Sequence, residues 1–202
     1  MIKAVFFDMG GVICVEGFRG GIKKYEEEKN IPTGEFYKVV HDHQGWKDFT
    51  LGLISEQEYL RQCAARAGGL PFDGQRYVDL IDELTIPNTD MIQYIKDLAR
   101  TTPVGIVSNH PREWFEKFSQ KVGLDNVWRW KVVSGFVHLR KPGKEIFLRA
   151  LELADAQPNE AVYVDDRADI LDGIIGLDGL NLVQFDGDME KFKNKMNSFI
   201  NP

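Results

Sequence analysis

The sequence predicts an α/β chain: a doubly wound, Rossmann-like parallel sheet core with an inserted small all-helical cap. Three observations lead there. Short apolar runs recur along the chain, and each stops on polar groups. Helical patterns with one apolar stripe lie between them, the alternation that builds a parallel sheet covered on both faces. Residues 15 to 86 break this rhythm, with several helical patterns and no convincing strand.

The first run is Ala4-Val5-Phe6-Phe7, which ends on Asp8 and is followed by Gly10-Gly11. Such a run reads as a strand buried on both faces. A carboxylate inside that core would be costly to desolvate. At the strand's carboxyl end it stands where open α/β sheets place their ligands, and the glycines allow a tight turn and close approach of backbone. The predicted domains are therefore an α/β core at 1–14 and 87–202 and a helical cap at 15–86. Within the cap, Ser55-Glu56-Gln57-Glu58 has the form of a capping box. Residues 23–29, KKYEEEK, read as a solvated helix face with i,i+4 pairs.

Past the insertion, Asn88 caps a helix with the stripe Met91, Ile92, Ile95, Leu98 and Ala99. Residues 103–107 then meet Ser108-Asn109, and Val132-Val133 runs into Ser134-Gly135. Trp114, Phe115 and Phe118 read as packing a helix onto the sheet, with Trp128 and Trp130 left open. Lys141-Pro142-Gly143-Lys144 precedes a helix marked by Ile146, Phe147, Ala150, Leu151 and Ala154. Residues 161–164 meet Asp165-Asp166, and residues 182–185 meet Asp186-Gly187. A final helix carries Phe192, Met196, Phe199 and Ile200 behind the cap Asp188.

The totals narrow the function. At 202 residues and 43% hydrophobic content the chain has ample core for one domain with an insertion. A net charge of −6 argues against nucleic acid or an anionic membrane as the main partner. Cys14 and Cys63 are too few for a disulfide framework or a zinc site. Asp8 interrupts the amino-terminal apolar stretch too early for a signal peptide, and no run approaches a membrane span. A cytoplasmic location is expected, and oligomeric state is left open.

Three strand ends thus gather Asp8, Ser108-Asn109 and Asp165-Asp166 on one sheet edge, with Lys141 ahead of a helix. Alone, Asp8 is a turn residue, Asp165-Asp166 a helix cap and Lys141 a surface lysine; in this order, with the insertion in this place, they resemble the haloacid dehalogenase superfamily over essentially the whole chain. "DMGGV" stands where that family carries D-x-D-G-T/V, Ser108 at its second motif, Lys141 at its third and Asp165-Asp166 at its fourth. The cap position and "WKDFTLGLISEQEYL" are similar to the group holding sugar-phosphate phosphatases and the phosphatase domain of soluble epoxide hydrolase.

The resemblance implies a hydrolase in which Asp8 is the nucleophile and forms an aspartyl-phosphate. It implies a magnesium ion (Mg2+) held by Asp8, the main-chain carbonyl of Gly10 and Asp166, with Asp165 in support. Ser108, the backbone amide of Asn109 and Lys141 would hold the phosphate of a small phosphorylated metabolite. Two positions depart from the pattern. The family's second aspartate, its general acid and base, is Gly10 here. Four residues past the metal aspartate stands Ile170, with Asp169 one residue early. Two other readings follow: a metal-free dehalogenase using Asp8, against which stand Gly10, where the family's dehalogenases carry tyrosine, and the aspartate pair; or a catalytically weak binding or regulatory member. His110 is a candidate stand-in acid, although a loop histidine without that task is favoured. His41-Asp42-His43 reads as solvated rather than metal-binding, and Phe18, Arg19 and Trp46 are candidates for substrate contact.

Overall fold

The computed structural model describes residues 1–200. Strand β1 (Ala4–Phe7) has all four residues buried, as an unbroken apolar run should. The chain turns through the glycines into a short strand β2 (Cys14–Val15). Five helices follow: α1 (Phe18–Lys29), α2 (Glu35–Val40), α3 (Gln44–Thr50), α4 (Glu56–Arg66) and α5 (Gly74–Leu84). Strand β3 (Ile86–Pro87) returns antiparallel to β2, pairing Cys14 with Pro87 and Val15 with Ile86. This two-stranded ribbon, absent from the sequence reading, ties the exit and return of the helical segment together. Asn88 reinforces it by donating to the Val12 carbonyl while accepting from Met91 N–H, which caps the next helix.

The rest alternates: α6 (Thr89–Leu98), β4 (Val104–Ser108), α7 (Arg112–Lys121), β5 (Trp130–Val133), α8 (Ser134–Val137), α9 (Lys144–Ala154), β6 (Ala161–Asp165), α10 (Ala168–Asp172), β7 (Asn181–Gln184) and α11 (Met189–Ile200). All five sheet strands are parallel, in the order β5-β4-β1-β6-β7. Alternation along β1 divides the core. Val5 and Phe7 pack with α6, α7 and α11 side chains, and Ala4 and Phe6 pack with those of α9 and α10. That is the doubly wound arrangement the sequence predicts. Among the described residues no helix is long and apolar enough to cross a membrane.

Helices α1 to α5 form a third apolar cluster around Tyr25, Phe36, Phe49, Tyr59 and Tyr77. Here three sequence expectations need correction. Residues 23–29 are not a wholly solvated face, because Tyr25 and Glu26 turn inward and are buried. Glu26 Oε1 accepts from the N–H groups of Gly34 (2.8 Å) and Phe36 (3.0 Å), satisfying donors at the start of α2 that no helical carbonyl can reach. The expected capping box at Ser55 is half made: Ser55 accepts from Glu58 N–H, but the Glu58 carboxylate turns to Arg61 and Gln62. Trp114, on α7, packs into this helical cluster rather than onto the sheet, while Phe115 and Phe118 do pack on the sheet.

The helical segment is fastened over one end of the sheet. Ser134 Oγ donates to the Thr50 carbonyl, Arg140 donates to Thr50 Oγ1, and Trp114 Nε1 donates to Glu56. Removing the Glu26 carboxylate with Glu26→Ala should destabilise the protein by about 1–3 kcal/mol, the cost of leaving buried N–H donors unpaired. Urea denaturation checks this; an unchanged midpoint would mean water takes the carboxylate's place.

Candidate active site

Register brings the chemistry to one edge. Phe7 pairs with Ile106 on one side and Val164 on the other, so the next residues of β1, β4 and β6 emerge together at the carboxyl ends. Strand β1 is central, with β4 and β6 departing to opposite sides, the crevice where open α/β sheets take ligands. Asp8 stands there, its N–H donating to the Val164 carbonyl. Ser108, the last residue of β4, is buried beside it.

Lys141 reaches this edge from the loop before α9. Its ammonium is almost wholly buried, 2.8 Å from Asp8 Oδ1 and 2.8 Å from Asp165 Oδ2. It also lies 2.8 Å from the Tyr163 hydroxyl, which in turn donates to Asp165. The backbone of Lys141 is clamped by the Asn109 side chain, whose Oδ1 accepts from Lys141 N–H (2.8 Å) and whose Nδ2 donates to Lys141 C=O (3.0 Å). Asp165 Oδ1 accepts from Arg167 N–H at 2.9 Å, so both its oxygens are engaged. Asp166 points into the open crevice instead.

The donor set suits a hard cation. Asp8, Asp165 and Asp166 each offer an oxygen, all within 4.8 Å of one another. Three carboxylates face the one ammonium of Lys141, an excess of negative charge in a buried place. Burial, with the charge of Asp165, holds the Asp8 carboxyl above the usual carboxylate range against the opposing charge of Lys141. Burial, then the charges of Asp8 and Asp165, push Asp166 up to about 6. Asp8 Oδ1 is ion-paired with Lys141 at 2.8 Å. Among the described residues it is the one buried side-chain oxygen or nitrogen left without a hydrogen-bond partner. Oxygen donors alone, one of them without a hydrogen bond, fit magnesium better than a softer metal.

The two glycines differ. Gly11 has φ +69°, and a Cβ there would stand 2.0 Å from Asp166 Oδ2. The close approach that the sequence suggests is therefore to the Asp166 side chain. A Cβ on Gly10 would instead meet the Glu16 side chain, 2.5 Å from its Oε1. Burial, then the charge of Asp8, push the Glu16 carboxyl up to about 7, although the residue keeps solvent access from the crevice.

A cavity of about 450 Å³ opens over these groups, lined on the sheet side by Asp8, Gly10, Ser108, Asn109, Lys141 and Asp166. The helical segment supplies Glu16, Phe18, Arg19, Tyr37, His41 and Trp46. Phe18 and Trp46 stack at 4.5 Å, as do Tyr37 and His41, giving this side an aromatic wall. All the residues singled out at the strand ends thus meet, and Phe18, Arg19 and Trp46 do line the cavity. Asp169 stays outside, exposed and paired with Arg167, and Ile170 is buried. His110 lies in an adjoining recess with Trp114. Burial lowers its pKa to about 4, and Nδ1 lies 3.2 Å from the Pro111 carbonyl, so near neutrality the ring is uncharged and its proton is occupied. His41 and His43 diverge: one contacts Asp42, the other caps α3 and approaches Cys63. Sequence reasoning missed Tyr163, Glu16 and the Asn109 side-chain clamp. Tyr163, in its apolar run, gave no signal, while Asn109 was singled out only for its backbone.

A doubly wound sheet with its reactive groups at the carboxyl ends of the central strands is the architecture of an α/β enzyme acting on a small ligand. The chain belongs to the haloacid dehalogenase-like hydrolases, a family that matches it over residues 2–177. No curated protein matches it. Among solved structures, it is similar to a haloacid dehalogenase family enzyme from Bacteroides thetaiotaomicron in complex with magnesium and inorganic phosphate, with TM-score 0.79, 18% identity, 95% of this chain and 99% of that one. It is also similar to a 2-haloacid dehalogenase from Pseudomonas syringae (TM-score 0.62, 19% identity, 93% and 89%). A third similar structure is the L-2-haloacid dehalogenase from Xanthobacter autotrophicus with chloropropionic acid covalently bound (TM-score 0.64, 17% identity, 98% and 83%). These likenesses establish the shared fold.

Replacing Lys141 by methionine should cost about 3–5 kcal/mol at neutral pH, because buried carboxylates lose their counter-charge. The deficit should shrink on acidification. A carboxyl whose folded pKa is raised binds more protons folded than unfolded, so its contribution to stability climbs as pH falls toward the unfolded value. Denaturation at pH 7 and pH 5 reads the difference directly; an equal deficit at both would exclude the carboxylates as its source.

Proposed function

We propose that this hydrolase is a magnesium-dependent phosphatase of a small phosphorylated metabolite, of sugar-phosphate type, working through an aspartyl-phosphate on Asp8. The observation that carries the reading is the charge imbalance at the strand ends, where three carboxylates surround one lysine and Asp8 Oδ1, ion-paired with that lysine, accepts no hydrogen bond. A metal-free dehalogenase would leave that imbalance standing. The magnesium and phosphate bound by the Bacteroides enzyme of the same fold point in the same direction.

Asp8, the Gly10 carbonyl and Asp166 would hold the ion, with Asp165 fixed behind them by Lys141, Tyr163 and Arg167 N–H. When bound, the ion supplies positive charge that screens the phosphoryl oxygens from the nucleophile. The chain's own residues do the rest. Lys141 aims Asp8, opposes the rise that burial imposes on its pKa, and offers the phosphoryl group a second positive charge. Ser108 and the Asn109 amide take up phosphoryl oxygens. Residues 15–86 act as a cap whose aromatic wall excludes water and selects the leaving group, set against the 1–14 and 87–202 core. Two buried, unpaired thiols, Cys14 and Cys63, suit the reducing cytoplasm.

Calorimetry with magnesium chloride and a panel of phosphate esters test this together. The native protein should bind magnesium and hydrolyse some members only in its presence. Asp166→Asn should lose the binding heat and roughly 10²-fold or more in turnover. Magnesium binding without hydrolysis of any ester would favour a binding role, and release of halide from 2-haloacids without metal would replace the proposal.

A further inference from the structure

Breaking a phosphate ester at Asp8 leaves two protons to be moved. The departing oxygen must gain one unless it is already a stable anion, and the water that later frees Asp8 must lose one. Few groups facing the cavity are free to do this. Lys141 and Asp165 are bound to each other and to Tyr163. Asp166 belongs to the cation end. His110 is neutral with its proton turned to Pro111, and His41 is held by Asp42 at 2.8 Å.

Glu16 remains. It follows β2 and folds back over the loop after the nucleophile. A Cβ on Gly10 would lie 2.5 Å from its Oε1, 2.6 Å from Cδ and 2.9 Å from Cγ. The Glu16 carboxyl therefore fills the space that a side chain two residues beyond Asp8 would enter. It lines both the main cavity and the adjoining aromatic recess, next to Asp8 and beside the room left for a leaving group. Among the described residues it has no hydrogen-bond or ion-pair partner.

We propose that Glu16 is the proton donor and acceptor of this active site, a role that rests on the phosphatase reading above. In the first half, a bond forms between an Asp8 carboxylate oxygen and phosphorus while the bond from phosphorus to the leaving oxygen breaks. The Glu16 acid gives its proton to that oxygen and becomes a carboxylate. In the second half, Glu16 takes a proton from water as the water oxygen bonds to phosphorus and the bond to Asp8 breaks. Inorganic phosphate leaves, and both side chains return to their starting forms.

Glu16→Gln keeps the shape and removes the proton. With magnesium present, kcat/KM for β-glycerophosphate, whose alkoxide needs a proton, should fall by roughly 10²–10⁴-fold. For p-nitrophenyl phosphate, whose phenolate leaves unaided, kcat/KM should fall far less. Its kcat should still drop, and intact-protein mass spectrometry should reveal phosphorylated Asp8, because water is no longer activated. In a Glu16→Ala background, Gly10→Asp should recover alkyl phosphate hydrolysis, since the obstructing carboxyl is gone. Equal losses in kcat/KM for both esters, with no trapped phosphoprotein, would overturn the role of Glu16 while leaving the phosphatase intact. A native protein inert toward every ester would overturn both.

Discussion

The Lys141 ammonium, buried between Asp8 and Asp165, is the interaction on which the rest of the site depends. Neither partner is tolerable alone at that depth, because a desolvated charge needs an opposite one in good geometry. The surrounding structure is arranged to hold it. Asn109 grips the lysine backbone at both N–H and C=O. Tyr163 supplies a hydroxyl from the sheet, its ring resting edge-on against Phe147 of α9 at 5.0 Å. The carboxyl ends of three strands and the loop before α9 are thereby locked to one point, which fixes Asp8 in place.

One lysine does not neutralise the edge. Burial, and after it the neighbouring negative charge, keeps the Asp8 and Asp166 carboxyls above their ordinary range. On the proposed phosphatase reading, a phosphate entering alone would meet repulsion, so cation and phosphate would be coupled ligands, each improving the site for the other. Arg19 of the helical segment and Arg140 of the loop before α9 both line the cavity and offer an anionic ligand positive charge.

Much of this was legible in the sequence because the signals are local. A buried strand reads as an apolar run, and a carboxylate at its end is conspicuous, so Asp8, Ser108, Asp165 and Asp166 could be placed on one edge. The caps Asn88 and Asp188 were legible for the same reason, and both make their bonds. What escaped depends on tertiary partners. Glu26 looks like one more charge in a solvated run, and only the neighbouring start of α2 makes it worth burying. Tyr163 reads as strand filler, because nothing local announces that Lys141, distant in sequence, arrives at its hydroxyl. Trp114 shares its helix with two sheet-packing phenylalanines, and only the insertion lying over α7 draws it the other way.

The glycines after Asp8 show how one residue type can carry two unlike constraints. Gly11 is required twice over, by its positive φ and by the Asp166 carboxylate lying where a Cβ would be. No side chain fits there without displacing the Asp166 carboxylate. Gly10 has no such backbone demand, since its φ is not in the left-handed region and the three atoms nearest a Cβ there all belong to the side chain of Glu16. Its bareness is conditional: it makes room for a carboxyl that comes from a different element. Positions 10 and 16 therefore share one volume beside Asp8, and the side chain that fills it can be supplied from either. The first motif looks incomplete when the nucleophile loop is considered alone, but the chain crossing back over that loop provides a carboxyl to the same space.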